Sequence, residues 1–373
     1  MEEFEAENYV RKEEVKIPEE LIRNPYDFVC NWAEKLYPNI GSYVFQYASL
    51  LPCSLIINDF NYFSEKKRSN LNIFLLTEAG GAKSSLCKLF AKLTFYPIEG
   101  RSYTAAELED EVFEKEIFSL IIEDYTTMAS DERINKIMEG ILGDEKIIDR
   151  HTKRKKIRKQ IEAVGFLCGV PNDVTDRLTR GKMSRALIIV KIYGDKEHSD
   201  IGKYIAENIG VSNNECDGDE YPQIKEYYEL LQKIQGGEEK FPFIDDFEIS
   251  RKIREDIVEK WDDITQRIRG SGIKFNFQRE LEDGFRILVA HSFLNYFNRN
   301  KNGNTLIVNE EDCKVAKRLM ARSLITKYNL YRSEKLAGGI RSSSKFHEIM
   351  GNEKVSKEIK QLIPVYLQKK FKK

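Results

Sequence analysis

Apolar positions along the chain fall into two rhythms. Phe28, Trp32 and Leu36 recur at helical spacing, as do Val44, Tyr47 and Leu50, so amphipathic helices are expected around the turn YPNIGS at 37–42. Short unbroken apolar runs follow: LNIFLL at 71–76, FSLII at 118–122, VGFLCGV at 164–170 and ALIIVKIY at 186–193. Runs of this length without polar alternation suit strands buried on both faces. Helical segments separate them, which predicts an α/β fold with a parallel sheet flanked by crossover helices. Beyond residue 245 the pattern turns to long helices only, in FEISRKIREDIVEKWDDITQRI, RELEDGFRILVAHSFLNYF and EEDCKVAKRLMARSLI. The expected organisation is a flexible acidic N-terminus at 1–24, an α/β domain at 25–212 and an acidic, glycine-bearing linker at 213–244. An all-helical lid domain at 245–325 and a basic tail at 326–373 complete it.

Composition narrows the picture. The 373 residues are 41% hydrophobic and 32% charged, enough for a packed core under a charged surface. Net charge is -1, so contact with nucleic acid must come from a local basic patch rather than a global field. No apolar stretch approaches the ~20 residues of a membrane span. The opening residues are acidic and polar, unlike a secretory signal, and cytoplasmic residence is the expectation. Six cysteines, at 30, 53, 87, 168, 216 and 313, form no CxxC pair. Cys53, Cys87 and Cys168 sit in apolar contexts and read as small buried hydrophobes.

The strongest chemical signal is TEAGGAKSS at 77–85, between an apolar run and a helical segment. A nucleoside triphosphate needs inward-facing backbone N–H groups, a cation near its terminal phosphates and a hydroxyl on magnesium. Gly80 and Gly81 allow close backbone approach, Lys83 supplies the charge and Ser84 the hydroxyl. Glu78, Ala79, Ala82 and Ser85 complete the predicted loop. Thr77 stands where the full phosphate-loop pattern has glycine, and Ala82 precedes the lysine.

An alanine before that lysine resembles the loop of the minichromosome maintenance (MCM) helicases, ring-forming ATPases of the AAA+ class, and further motifs follow in their order. FSLIIEDYTTM at 118–128 resembles the family's Walker B strand, with the acidic pair inverted to Glu123 then Asp124. The resemblance implies that one carboxylate, with Ser84, serves magnesium and the other polarises the attacking water; alternatively Glu123 is itself the base, Ile122 having replaced the metal ligand. Either assignment implies weakened hydrolysis. FLCGVPND looks like the sensor 1 strand, making Asn172 the residue that orients water. SRALIIV resembles the segment bearing the family's arginine finger, here Arg185, with Arg177 and Arg180 as nearby competitors. RELEDGFRILVAH at 279–291 is similar to the sensor 2 helix, so Arg279 is the expected phosphate contact. VNEEDCKVAKRLMARSL at 308–324 continues the likeness, with Asn309 as helix cap. The motifs cover roughly residues 25–325.

Two departures bear on partners. The family's large N-terminal DNA-binding region is expected to have no counterpart in these 373 residues, and the segment 101–115, where a helix-2 insertion would lie, is short. The other channel element falls at 149–160, dense in Lys153, Arg154, Lys155, Lys156, Arg158 and Lys159. A basic hairpin in a pore would track a phosphate backbone, single- or double-stranded. The resemblance therefore implies a homo-oligomeric ring, a hexamer, that binds ATP, Mg²⁺ and DNA and acts as a helicase or translocase in DNA replication. Two alternatives stay open: a loader or regulatory subunit with weak hydrolysis, and an AAA+ ATPase that remodels proteins.

Overall fold

The computed structural model describes residues 17–37, 42–57, 59–62, 65–77, 82–151, 156–169, 185–191, 203, 220–269 and 277–339. Short helices α1 (Glu19–Arg23), α2 (Pro25–Leu36), α3 (Ser42–Ala48) and α4 (Leu51–Ile56) lead into a hairpin of β1 (Asp59–Tyr62) and β2 (Glu65–Arg68). Strand β3 (Asn72–Thr77), helix α5 (Lys83–Leu93), β4 (Pro97–Gly100), α6 (Ala105–Glu114) and β5 (Ile117–Ile122) follow. Next come α7 (Tyr125–Met128), α8 (Glu132–Leu142), the antiparallel pair β6 (Ile147–His151) and β7 (Lys156–Gln160), then β8 (Glu162–Gly169) and β9 (Leu187–Lys191). The rest is helix α9 (Glu220–Gln235), β10 (Asp246–Glu248), α10 (Arg251–Arg269), α11 (Phe277–Leu294), the short strands β11 (Lys301–Asn302) and β12 (Thr305–Ile307), and α12 (Glu310–Gly339).

Five parallel strands form the central sheet in the order β4-β5-β8-β3-β9. The apolar runs end up here because both faces are covered. Ile73 and Leu75 point into one core with Leu86 and Phe90 of α5, whereas Phe74 and Leu76 join the other with Leu108 of α6 and Met138 of α8. Strand side chains alternate faces, so a strand with helices above and below must be apolar throughout. After β3 the chain runs to the β4 edge, and after β8 it crosses to β9 on the opposite side. Neighbouring strands that send the chain in opposite directions leave a crevice beyond their C-terminal ends, where ligands of such sheets bind.

The domain limits differ from the expected ones at three places. Residues 220–235, placed in a linker by composition, form α9, whose Ile224, Tyr227, Tyr228, Leu231 and Ile234 are buried. Its tyrosines reach into other helices: Tyr227 donates to Leu294 O at 2.6 Å and Tyr228 to Ser49 O at 2.8 Å. Helix α12 runs through residue 325 to Gly339, and Leu21 of α1 is fully buried. The helices after 245 pack on α2, α4 and β9 in the same apolar core as the sheet. Among the described residues no helix is long and apolar enough to cross a membrane.

Charged pairs lock these helices. Asn309 caps α12 through Oδ1, which accepts from the N–H groups of Glu311 and Asp312 at 3.0 and 3.1 Å. Asp312 lies 2.6 Å from His291 Nδ1 and takes two guanidinium nitrogens of Arg299 at 2.7 and 2.9 Å. Burial alone would raise this carboxyl, but the His291 and Arg299 hydrogen bonds hold it below its usual range. Lys327 bonds both oxygens of Glu280 at 2.7 Å with neither side chain more than 1% exposed. Removing one member of such a pair strands the other charge, which costs ~3–5 kcal/mol. Lys327→Met should therefore lower the unfolding free energy by about that amount, and the double variant E280L/K327M should recover most of it. Urea denaturation of both variants measures this, and equal losses in the two would contradict it.

Candidate functional site

The first half of the site gathers at the C-terminal edge of the sheet. Ala82 adopts the left-handed conformation at φ 57°, immediately before α5 begins at Lys83. Left-handed geometry costs a non-glycine residue ~1–2 kcal/mol. Followed by a right-handed turn, it aims consecutive N–H groups into one concavity, a backbone arrangement that holds anions. The free N–H groups and positive dipole end of α5 add to that field. Among the described residues, no ion pair engages the Lys83 ammonium. Glu78, Ala79, Gly80 and Gly81 lie outside the described residues, as does Asn172.

Ser84 and Glu123 meet across the crevice. The Ser84 hydroxyl donates to Glu123 Oε1 at 2.5 Å, linking the first turn of α5 to the residue that follows β5. Backbone bonds from Glu123 N to Gly100 O at 3.0 Å and Asp124 N to Arg101 O at 2.9 Å fix this corner to β4. Hydroxyl and carboxylate oxygens are the donors magnesium takes, one or two from protein, with phosphates and waters completing the octahedron. Ser84 and Glu123 fit that ion, and Asp124 is the next carboxylate along. Ser85 occupies the same first turn. Behind it Cys87 Sγ lies 3.7 Å from Cys168 Sγ, both buried as expected.

The two arginines lie elsewhere. Arg185 precedes β9, and its carbonyl accepts from Asn72 Nδ2 at 3.3 Å, at the start of β3. Lys83 begins the helix beyond the end of β3. Five residue steps along that strand separate its ends by about 17 Å. Arg279, in the first turn of α11, lines the same cavity as Arg185, with a volume of about 710 Å³ between α8, β6 and the entry edge of the sheet. Its guanidinium lies 3.8 Å from Asp144. Sequence motifs thus bring Lys83, Ser84 and Glu123 together at one edge and Arg185 with Arg279 at the other.

Sequence reasoning passed over what surrounds these arginines. Asp144 also accepts from Arg286 Nη2 at 2.8 Å, and Arg286 bonds Asp283 at 2.8 Å and Arg68 O at 3.0 Å. Burial would lower the Arg286 guanidinium, but Asp283 and Asp144 more than offset this and raise it. Arg286, with Glu282 3.8 Å away, and His291, bonded to Asp312, therefore hold α11 in place. Of the residues of this helix, Arg279 lines the cavity. Lys146, in the cavity wall, donates to Ala163 O at 2.8 Å and Ile141 O at 2.5 Å, the latter a terminal carbonyl of α8. No motif signals this lysine.

Arg150 and Lys159 anchor the basic hairpin of β6 and β7. Arg150 pairs with Glu109 and Asp110 of α6 at 3.4 and 2.5 Å, and Lys159 donates to Phe113 O at 2.6 Å. Arg158 is exposed and only loosely paired, 3.9 Å from Glu145 and 4.0 Å from Asp149. Lys156 begins β7, whereas Lys153, Arg154 and Lys155 lie outside the described residues. The segment 101–115 holds a loop and α6 alone, with no inserted hairpin.

No protein-family model matches the chain, and no curated protein matches it. The functional reading therefore rests on the site itself.

Lys146 supplies a test of the cavity wall. Burial, with the nearby Arg286 charge, lowers its pKa from 10.5 to about 7. A neutral amine has two N–H donors, matching the two carbonyls. Because the unfolded chain holds its proton up to the ordinary lysine range, protonation opposes folding below pH 7 and that penalty fades as pH rises from 7 toward 10.5. The stability of wild type relative to Lys146→Met should rise by about 2 kcal/mol between pH ~7 and ~9. A difference independent of pH in urea denaturation would contradict the neutral buried lysine.

Proposed function

We propose that this chain is an MCM-like AAA+ ATPase that hydrolyses ATP in a ring of identical copies and moves DNA with its basic hairpin. The observation that carries the reading is the division of the site. A phosphate-binding turn with Lys83, Ser84 and Glu123 lies at one edge of the sheet, and Arg185 with Arg279 lies at the other, about 17 Å of strand away. A single copy cannot bring these halves together. A head-to-tail ring does, because each copy then presents its arginine cavity to the next copy's phosphate turn.

In this reading Lys83 and the amides of the turn bind the β- and γ-phosphates, and Ser84 with Glu123 would hold magnesium. That ion, when bound, neutralises charge on the phosphate oxygens. Asp124, whose amide is tied to Arg101 O, is the carboxylate left to orient and deprotonate water, with Asn172 as its helper. Arg185 and Arg279 of the adjoining copy stabilise charge on the transferring phosphoryl group. Arginines so placed are worth ~10³–10⁵ in rate. The exposed Arg158, together with the Lys153–Lys156 run of the sequence, follows a nucleic acid backbone by charge.

Mixing two inactive variants tests the shared site. Lys83→Ala and Arg185→Ala should each abolish DNA-stimulated ATP turnover, assayed with single-stranded DNA present and absent. An equal mixture of the two should regain turnover at about a quarter of the wild-type level, since random assembly leaves about a quarter of interfaces with both groups intact. A mixture no more active than its parents would remove the reading.

A second reading is favoured by the Ser84–Glu123 contact. With Glu123 engaged there, the base falls to Asp124, one methylene shorter than glutamate, so the protein would bind ATP and DNA but turn over slowly as a loader or regulatory subunit. Exchanging the pair in E123D/D124E should then raise kcat several-fold in a steady-state assay. A fall in kcat would mean that the inverted order is adapted to its own site.

A further inference from the structure

Asp144 is shared by two arginines with opposite circumstances. Arg286 is 7% exposed and holds Asp144 Oδ1 at 2.8 Å, with Asp283 and Arg68 O as its other partners. Arg279 meets the other oxygen, Oδ2, at 3.8 Å from a side chain still 28% exposed to the cavity. One oxygen is therefore fastened to the core, and the other offers a weak seat to a partly exposed cation. The chain of alternating charges continues inward through Asp283, which lies 4.0 Å from Lys327, to the buried Glu280–Lys327 pair. Asp144 cannot follow Arg279 if Arg279 moves, because Arg286 keeps it anchored.

We infer that Asp144 is a positioning residue that parks the Arg279 guanidinium in the cavity until an anionic phosphate of the adjoining copy displaces it. This rests on the reading that Arg279 contacts a neighbouring triphosphate. A partly exposed pair at this distance is weak, ~0.2–1 kcal/mol, so it orients the arginine without withholding it from a phosphate carrying more charge. Unloaded, the cavity sets four carboxylates, Glu139, Asp144, Glu145 and Asp149, against Lys136, Arg185, Arg279 and the low-pKa Lys146, so its acidic side has no shortage of seats for an arginine. Loading exchanges one carboxylate partner for phosphate and leaves Asp144 on Arg286.

Asp144→Asn removes the competing charge while its amide oxygen still accepts from Arg286. In the full-length protein with single-stranded DNA, it should lower the concentration of a fluorescent ATP analogue that half-saturates equilibrium binding about two- to fivefold. The same substitution made in Arg279→Ala should change that concentration by less than twofold, while Asp144→Glu should restore the wild-type value. Any loss of thermal stability from the Arg286 contact should be equal in both backgrounds, which separates it from the effect on ATP. An equal shift in the two backgrounds, or none in either, overturns the assignment even where turnover is intact. Should Arg279→Ala itself leave ATP response and turnover unchanged while Lys83→Ala abolishes them, the inter-copy contact of Arg279 fails and the positioning role falls with it.

Discussion

Strand β3 is buried on both faces and hydrogen-bonded on both edges, to β8 and to β9. Its length sets the distance between the Lys83 turn and Arg185. At its C-terminal end the chain turns through the left-handed Ala82 into α5; at its N-terminal end Asn72 bonds both Gly165 N and Arg185 O. A six-residue strand cannot shorten or bend enough to close that separation. The two halves of the candidate site are thus kept apart by a strand buried on both faces, and any reaction that needs both must involve a second molecule.

The arginine half depends on buried electrostatics more than on apolar packing. Arg279, Asp144, Arg286, Asp283, Lys327 and Glu280 form a line of alternating charges running from the cavity into the core. Burying such groups gains little net stability over apolar replacements, but breaking the line at one member is expensive. Its effect is to fix the rotation of α11 about its axis, since a helix turned by one residue would present Arg279 to a different neighbour. Gly284, where an added Cβ would stand 2.6 Å from Met320 Sδ, tightens the same contact between α11 and α12. Orientation of one exposed arginine is thereby set by several buried ones.

Much of this arrangement was legible in the residues. The unbroken apolar runs located the four longer strands of the sheet, because two-sided burial leaves no room for polar alternation. The edge strand β4 was missed, being four residues long with exposed Pro97 and Glu99. Helix α9 was missed for another reason: its surface is rich in charge, and the buried stripe of Ile224, Tyr227, Leu231 and Ile234 shows only at helical spacing. In the site, the residue types of TEAGGAKSS and the acidic pair after β5 pointed to Ser84 and Glu123, which do meet. Sequence left the roles of Glu123 and Asp124 open because a two-residue inversion changes chemistry without changing the apolar pattern. Asp144 and Lys146 belong to no motif; they matter through contacts with segments more than a hundred residues away or through a carbonyl cage, and neither leaves a trace in linear order.

The basic hairpin shows how a charge run divides into structural and exposed parts. Arg150 and Lys159 are consumed by α6, whose acidic face supplies Glu109 and Asp110 and whose last turn supplies the Phe113 carbonyl. Arg150, already paired with two protein carboxylates, is poorly placed to displace counterions from a nucleic acid and adds little to salt-dependent affinity. Arg150 and Lys159 hold the root of β6 and β7 against α6. Within the proposed motor, the charges that follow a phosphate backbone are then the remainder, Arg158 and the run beside it, and the acidic helix beneath is part of the same device rather than a neighbour that happens to bear the opposite sign.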